Sequence, residues 1–300
     1  MPDKDCSKSL INGIKKDENF LFSKHTTYGL GGRAKVAYYP KTEQEAAALF
    51  DYLKESGEKF VVLGNGSNVL VADGYFDGAV ICTKNLCGIN LEEDGINCLS
   101  GTTVSQLLKF CIDNNLGGYE YLAGIPATIG GLALMNGGIA ARHIGDDILS
   151  VKVYDGNYYE FSNEICNFGN KHSIMRDISA MIISIKLSKF AVPREIFQKN
   201  INVFLKKRKH LPKGKSCGCA FKNPEGLSAG KLIDNAGLKG LKCGGAEVSF
   251  EHANFILNKG GSAADVYKLI QQVKQRVFDY CGIELVEEVI YIGEFNDFDS

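Results

Sequence analysis

The chain has 300 residues, 45% hydrophobic and 23% charged, with a formal net charge of -1. That length exceeds one compact core and predicts two or three domains. The near-zero charge gives no field for steering a polyanion and argues against a nucleic acid partner. No apolar run approaches the ~18 residues that cross a bilayer. The start MPDKDCSKSL carries acidic residues and no apolar h-region, so a cytoplasmic protein with no membrane partner is expected.

The first ~20 residues are polar and read as a helix or loose arm. Thr42-Glu43-Gln44-Glu45 reads as a capping box opening a helix to Glu55, with Ala46, Leu49, Phe50 and Leu53 on one face and Gly57 ending it. Lys59–Leu63 reads as a buried strand, Gly64–Asn68 as a glycine-rich loop, and 69–71 and 79–81 as further strands. A second amphipathic helix fits Thr103 to Asn114, closed by Gly117-Gly118. Val151, Val153 and the run Met181–Leu187 suggest a mainly antiparallel sheet.

Beyond Pro193 a long basic helix is predicted to about Lys209, then a helix near 229–235, a strand around 255–257, a helix over 263–280 and a strand over 285–292. No internal repeat is visible, and the main boundary falls near residue 190. The ten cysteines form no C-x-x-C pair, and no histidine stands at zinc-ligand spacing beside Cys217 and Cys219. The expectation is no metal, and reduced, mostly buried thiols.

Three segments carry chemistry. In Gly64-Asn65-Gly66-Ser67-Asn68, the glycines can expose consecutive backbone N–H groups, which is how a loop binds pyrophosphate without lysines. The pattern is neither G-x-G-x-x-G nor a P-loop, and a plain tight turn fits it equally. Gly124-Ile125-Pro126 and Gly130-Gly131, followed by Asn136, suit a backbone lying against a ring system, or a turn between core elements. Ser216-Cys217-Gly218-Cys219-Ala220-Phe221-Lys222-Asn223-Pro224 gathers two thiols, a cation and an amide.

The ordered set HTTYGLGGRA (25–34), LGNGSNVL (63–70), GIPATIGGLALMNGG (124–138), SCGCAFKNP (216–224), AGKLIDNAGLKG (229–240) and ELVEEVIYIG (284–293) resembles the UDP-N-acetylenolpyruvoylglucosamine reductase family, also called UDP-N-acetylmuramate dehydrogenases. The resemblance covers about residues 20–295 and is closer to the shorter of the two family types. It implies an α+β fold: a two-subdomain FAD-binding domain of the vanillyl-alcohol-oxidase/p-cresol methylhydroxylase type, then a C-terminal α/β substrate-binding domain. The corresponding division is an arm over 1–20, FAD-binding subdomains over 21–85 and 86–190, and the substrate domain over 191–300.

The implied reaction uses NADPH and FAD to reduce the enolpyruvyl ether of UDP-N-acetylglucosamine, by hydride addition at C3 and protonation at C2, in peptidoglycan precursor synthesis. The resemblance assigns Gly64, Asn65, Gly66, Ser67 and Asn68 to the FAD pyrophosphate. It assigns Gly124, Ile125, Pro126, Gly130, Gly131 and Asn136 to the flavin and its phosphates. Cys219 stands where the family has its proton-donating serine, and its thiol is far more acidic than an alcohol. Glu288 stands at the catalytic glutamate, with Glu287 on the opposite strand face.

Lys171 falls where the family has an arginine, which keeps the charge and loses the bidentate fork, and Asn170 falls at its tyrosine. Arg176 is the alternative cation. Lys222, Asn223 and Arg208 are the substrate candidates, and Cys217 is read as structural. Gly29 stands where an arginine is common, and His143 where a glutamate is usual; neither is given a role. The substrate is a small molecule and the chain is expected to be a monomer. The departures keep two other readings open: a same-fold flavoprotein with another substrate or no activity, and a non-catalytic nucleotide-sugar or flavin-binding protein.

Overall fold

Capping chemistry sets where the helices begin. Thr42 accepts from the Glu45 N–H at 3.1 Å, which satisfies one of the orphan donors at the start of helix Glu43–Glu55, and Glu45 reaches back to accept from the Lys41 N–H. Thr103 and Gln106 form a reciprocal box at the start of helix Val104–Asp113. Ser262 and Asp265 do the same for helix Ala263–Cys281, which Gly282 ends at φ 71°.

The computed structural model describes residues 4–139 and 142–295; the ends of the expected arm and substrate domain, 1–3 and 296–300, lie outside the described residues. The chain forms two units. One comprises the described part of Met1–Glu18 with Val36–Asn65 and Gly78–Lys209, the other Asn19–Lys35, Gly66–Asp77 and the described part of His210–Ser300. The division at 209/210 differs from a boundary near 190 by helix Arg194–Lys207. Phe197 on that helix is fully buried in the first unit's main apolar core, which holds the helix there.

Two larger sheets build the first unit. The order in one is Lys15–Asp17, Ala34–Tyr39, Phe76–Cys82, Phe60–Leu63, with the last two parallel in register Phe60↔Ala79 to Leu63↔Cys82. Helix Glu43–Glu55 lays Ala46, Leu49, Phe50 and Leu53 into the core shared with Val36, Ala79 and Ile81. The other sheet is five-stranded and antiparallel: Tyr158–Ser162, Ile148–Tyr154, Met181–Leu187, Ile96–Leu99, Ile89–Leu91. Helices Val104–Asp113 and Ile129–Met135 contribute Val104, Leu107, Ile129 and Ala133 to its core.

Three local expectations change. Helix Val104–Asp113 is not closed by Gly117-Gly118: its C-cap is Asn114, Asn115 follows at φ 54°, and Leu116–Gly117 pairs with Phe190–Ala191. Asparagine tolerates the left-handed turn well enough to end a helix without glycine. Residues 15–17 form the first strand of a sheet rather than loose arm. The run 285–292 is a regular strand only over Ile290–Ile292, which pairs in parallel with Val69–Val71. Just before it, 286–288 pairs with 220–222, so one apolar run changes partner near Val289.

In the second unit an antiparallel sheet, Lys242–Cys243, Ala246–Val248 and Ile256–Asn258, carries helix Ala263–Cys281. Val266, Leu269, Ile270, Val273 and Val277 of that helix are buried with Phe221, Ile233, Val248 and Leu285. Burying such side chains contributes about 1.5–3 kcal/mol each. This core holds the thiol-bearing segment from below.

Candidate functional site

Strand Phe60–Leu63 ends on buried Leu63, and the chain turns through Gly64–Asn68. A Cβ on Gly64 would come to 2.5 Å from Thr128 Oγ1, so only glycine allows that approach. Asn65 Nδ2 donates to the Pro126 carbonyl at 2.7 Å and ties this turn to the second glycine segment. Gly66 has φ 61° and packs against the His25 carbonyl, inside the room a Cβ would need.

The backbone N–H groups of Asn65, Gly66 and Ser67 donate to no acceptor among the described residues. Three successive unspent amides, with no carboxylate in 64–68 or 124–131, fit an anionic group such as the diphosphate of FAD. Asn68 is used differently: its Nδ2 donates to Glu288 O at 3.0 Å, and its carbonyl accepts from Ile290 N.

In the second glycine segment four of the amides are already occupied. Ile125 N donates to Leu122 O, Ile129 N to Thr102 O at 2.7 Å, Gly130 N to Ser100 O at 2.9 Å, and Gly131 N to Thr128 Oγ1. Gly130 is glycine for packing, since a Cβ would come to 2.7 Å from Ser100 Cβ. Gly124 has φ 81°, and the Arg208 side chain lies over it, Nε 3.2 Å from where a Cβ would stand.

Asn136 ends helix Ile129–Met135 in the left-handed conformation, φ 43°. Its buried amide is fully engaged: Nδ2 donates to Gly169 O and Oδ1 accepts from Gly145 N, each at 2.9 Å. It therefore anchors the segment that carries Lys171. There, Gly169 N donates to His172 O and His172 N to Gly169 O, leaving Asn170 and Lys171 at the tip, Lys171 with φ 54°. Ser173, fully buried, donates to Leu134 O at 2.8 Å, and Arg176 Nη1 donates to Lys171 O at 2.9 Å. His143 opens the short turn 144–146, its backbone N–H donating to Asp146 Oδ2 at 2.9 Å.

The thiol segment is held from both sides. Ala220 N donates to Asn254 O, and Asn254's own amide spans Phe221, accepting from its N–H at 2.9 Å and donating to its carbonyl at 2.8 Å. On the other side Lys222 N donates to Val286 O and Glu288 N to Ala220 O, both at 2.8 Å. Phe221 and Glu287 are direct partners in this ladder, so Glu287 and Glu288 face opposite ways. Glu287 is consumed by Lys274, both carboxylate oxygens at 3.0 Å, with Gln271 alongside.

Cys219 is half-buried and Cys217 buried. Burial pushes the Cys217 thiol up to about 12; the Tyr28 hydroxyl lowers it, and Glu288 and Cys219 raise it further. Burial, then the Cys217 thiol, holds the fully buried Tyr28 phenol well above its ordinary value. Cys217 is therefore a neutral thiol packed among Tyr28, Glu288 and Cys219. Asn223 Oδ1 accepts from Ala229 N at 3.0 Å and fixes the start of helix Ala229–Asn235, while Lys222 is half-buried beside it.

Two residues had gone unread in the sequence. Asn254 could have been flagged as a polar residue inside the apolar run Ala253-Asn254-Phe255-Ile256, where a buried amide needs partners. Lys215 carries no signal in sequence, because the backbone it lies over, Gly29, is 186 residues away along the chain. Among the described residues no group of three His, Cys, Asp or Glu is placed to hold a metal ion, and no helix is long and apolar enough to cross a membrane.

Residues 209–292 match the family profile described as UDP-N-acetylenolpyruvoylglucosamine reductase, C-terminal domain, and residues 34–157 match an FAD binding domain. Curated relatives include the UDP-N-acetylenolpyruvoylglucosamine reductases of Moorella thermoacetica, 37% identical over 92% of this chain and 93% of the relative, and of Prochlorococcus marinus, 35% identical over 94% and 100%. Among solved structures, the crystal structure of UDP-N-acetylenolpyruvylglucosamine reductase from Thermus caldophilus aligns with TM-score 0.79 and 32% identity, over 93% of this chain and 99% of that one.

Proposed function

The chain belongs to the UDP-N-acetylenolpyruvoylglucosamine reductase family, and we propose how its own residues carry that family's reaction. It is an FAD-dependent oxidoreductase that reduces the enolpyruvyl ether of UDP-N-acetylglucosamine with NADPH, giving UDP-N-acetylmuramate for peptidoglycan. Bound FAD supplies a carrier that accepts hydride from NADPH and passes it to the substrate.

The protein's part is positioning, charge and one proton. The amides of Asn65, Gly66 and Ser67 hold the diphosphate, and Gly64 and Gly130 allow the close backbone packing that keeps the cradle in shape. Gly124, Ile125, Pro126, Gly131 and Asn136 carry the second segment of the cofactor site; Asn136 does so from behind, through Gly145 and Gly169. Cys219 donates its thiol proton to C2 of the substrate as charge develops there.

Glu288, held by the Ala220 and Asn68 contacts, acts at the substrate carboxylate, and Lys171 supplies the cation that steadies that charge. Arg176 is the weaker candidate, since its guanidinium already holds the Lys171 carbonyl. Lys222, Asn223 and Arg208 bind the sugar nucleotide. Action in the cytoplasm as a monomer completes the proposal.

The observation that carries these assignments is the ladder of 220–222 against 286–288, which sets Glu288 across from Ala220, the neighbour of Cys219, while Glu287 is paired away with Lys274. The experiment is spectroscopic. Purified protein should be yellow, bleach with NADPH and recolour with the enolpyruvyl substrate. Bleaching without recolouring would mean another substrate, and a protein that takes up no FAD would end the reading.

A further inference from the structure

Gly29 sits in a turn closed by its own N–H donating to Thr26 O at 3.1 Å. Its φ is 63°, and a Cβ there would stand 2.9 Å from Lys215 Cδ and 3.1 Å from both Cε and Nζ. The lysine therefore lies flat across the backbone of residue 29, in space that any side chain would take. Its own backbone is pinned: Asn258 N donates to Lys215 O at 2.9 Å, and Asn258 Nδ2 donates to Tyr28 O at 2.9 Å. One asparagine thus fixes both the lysine and the turn beneath it.

That turn is also the floor of the unspent amides. Thr27 N donates to Gly66 O at 3.0 Å, and Gly66 packs on His25 and Thr26. The Lys215 ammonium stands two residues further along the same turn, and no carboxylate among the described residues pairs with it. A pinned cation with no carboxylate partner, lying over the same turn that Gly66 packs against, fits an anion.

We propose that Lys215 is the cation that neutralises the diphosphate held on Asn65, Gly66 and Ser67, and that residue 29 is glycine so that this ammonium can lie there. The role is charge placement from the segment that also bears Cys219, four residues on. It explains the glycine at a position where the resemblance led to expect an arginine: the charge comes from residue 215 instead.

The inference rests on the FAD reading, and the test separates the two. Apoprotein would be titrated with FAD by flavin fluorescence, and FAD-loaded protein with UDP, a second source of the same diphosphate chemistry. Lys215→Met should weaken FAD about tenfold and flatten the salt dependence of its binding, with UDP unchanged. Lys215→Arg should recover most of the loss, which a general folding defect would not allow. Gly29→Ala should weaken FAD to a similar degree by displacing the ammonium, and the double variant should be no worse than either single one. FAD affinity within twofold of wild type in Lys215→Met, or weakened UDP with FAD intact, overturns the inference and leaves the function standing. Wild-type protein that takes up no FAD sinks the function itself.

Discussion

Two buried asparagines do the same work in the two units, on segments of opposite character. Asn254 clamps Phe221 through both its N–H and its carbonyl; Asn136 clamps Gly145 and Gly169. The segment under Asn254 reads SCGCAFKNP and stays close to the family's wording. The segment under Asn136 reads FGNKHS and has lost the tyrosine and arginine expected there, yet keeps its anchors, with Ser173 bonded to Leu134 and the turn closed between Gly169 and His172. What persists in the second segment is the backbone frame, and what has changed is the tip. A side chain at the tip of a turn can be exchanged without disturbing the backbone bonds that close the turn. A ladder flanked on both sides, as at 220–222, fixes the position and direction of every side chain it carries.

The strongest test of that contrast is Cys219→Ala against Lys171→Met. Removing the proton donor should slow the substrate-reducing half-reaction about 10²–10⁴-fold while NADPH still reduces the flavin at its normal rate. Removing the tip cation should cost less, about tenfold, in the same half-reaction. Stopped-flow measurement of the two half-reactions decides it. Equal slowing of both by Cys219→Ala would remove the thiol from its role, and a Lys171→Met loss as large as that of Cys219→Ala would break the contrast itself.

Next in size are the clamps. Asn254→Ala and Asn136→Ala each leave buried backbone groups unpaired, at about 1–3 kcal/mol per unsatisfied group. Urea unfolding should register both losses. Asn254→Ala should also slow the protonation step, and Asn136→Ala should raise KM, because each frees a different segment. Identical kinetic effects would mean the clamps serve general stability alone. A smaller effect is expected of Glu287→Gln, which weakens the half-buried pair with Lys274: a loss of stability up to about 1 kcal/mol with kcat unchanged, against a large rate loss for Glu288→Gln.

Much of this frame was legible in the residues. Helix Glu43–Glu55 begins and ends where its capping residue and apolar spacing put it, since those signals are local, and a helix stands over Ala229–Asn235 as expected. That Glu287 and Glu288 face opposite ways followed from strand alternation, and the ladder has them so; the choice of Glu288 came from the resemblance. The failures are all long-range. Nothing local says that Ile290–Ile292 leaves the 220–222 ladder for Val69–Val71, that residues 19–35 and 66–77 join the C-terminal segment, or that Lys215 lies over Gly29. The roles of Asn68, Asn136 and Asn254 were hidden for the same reason: each amide bonds to backbone far along the chain.

The finest test concerns Cys217, the thiol that the ladder keeps dry. Its folded value is pushed up to about 12 from an ordinary 9.0, with burial the first cause. Below pH 9 the thiol is protonated in both states, and its contribution to stability is fully present. Above pH 9 the unfolded chain releases that proton while the folded chain holds it, so stability falls as pH rises toward 12. One thiol contributes a slope of about 1.4 kcal/mol per pH unit in that window. Cys98 and Cys111 in the first unit, each also pushed up to about 12 by burial, add slopes of the same sign. Cys217→Ala should therefore flatten the wild-type decline between pH 9 and 10.5 by about one thiol's worth while leaving that of the other buried thiols, Cys82 and Cys166 included, read as urea midpoints under reducing conditions. An unchanged slope would mean that Cys217 reaches solvent and is free to ionise, and the segment would then be looser than its two-sided anchoring implies.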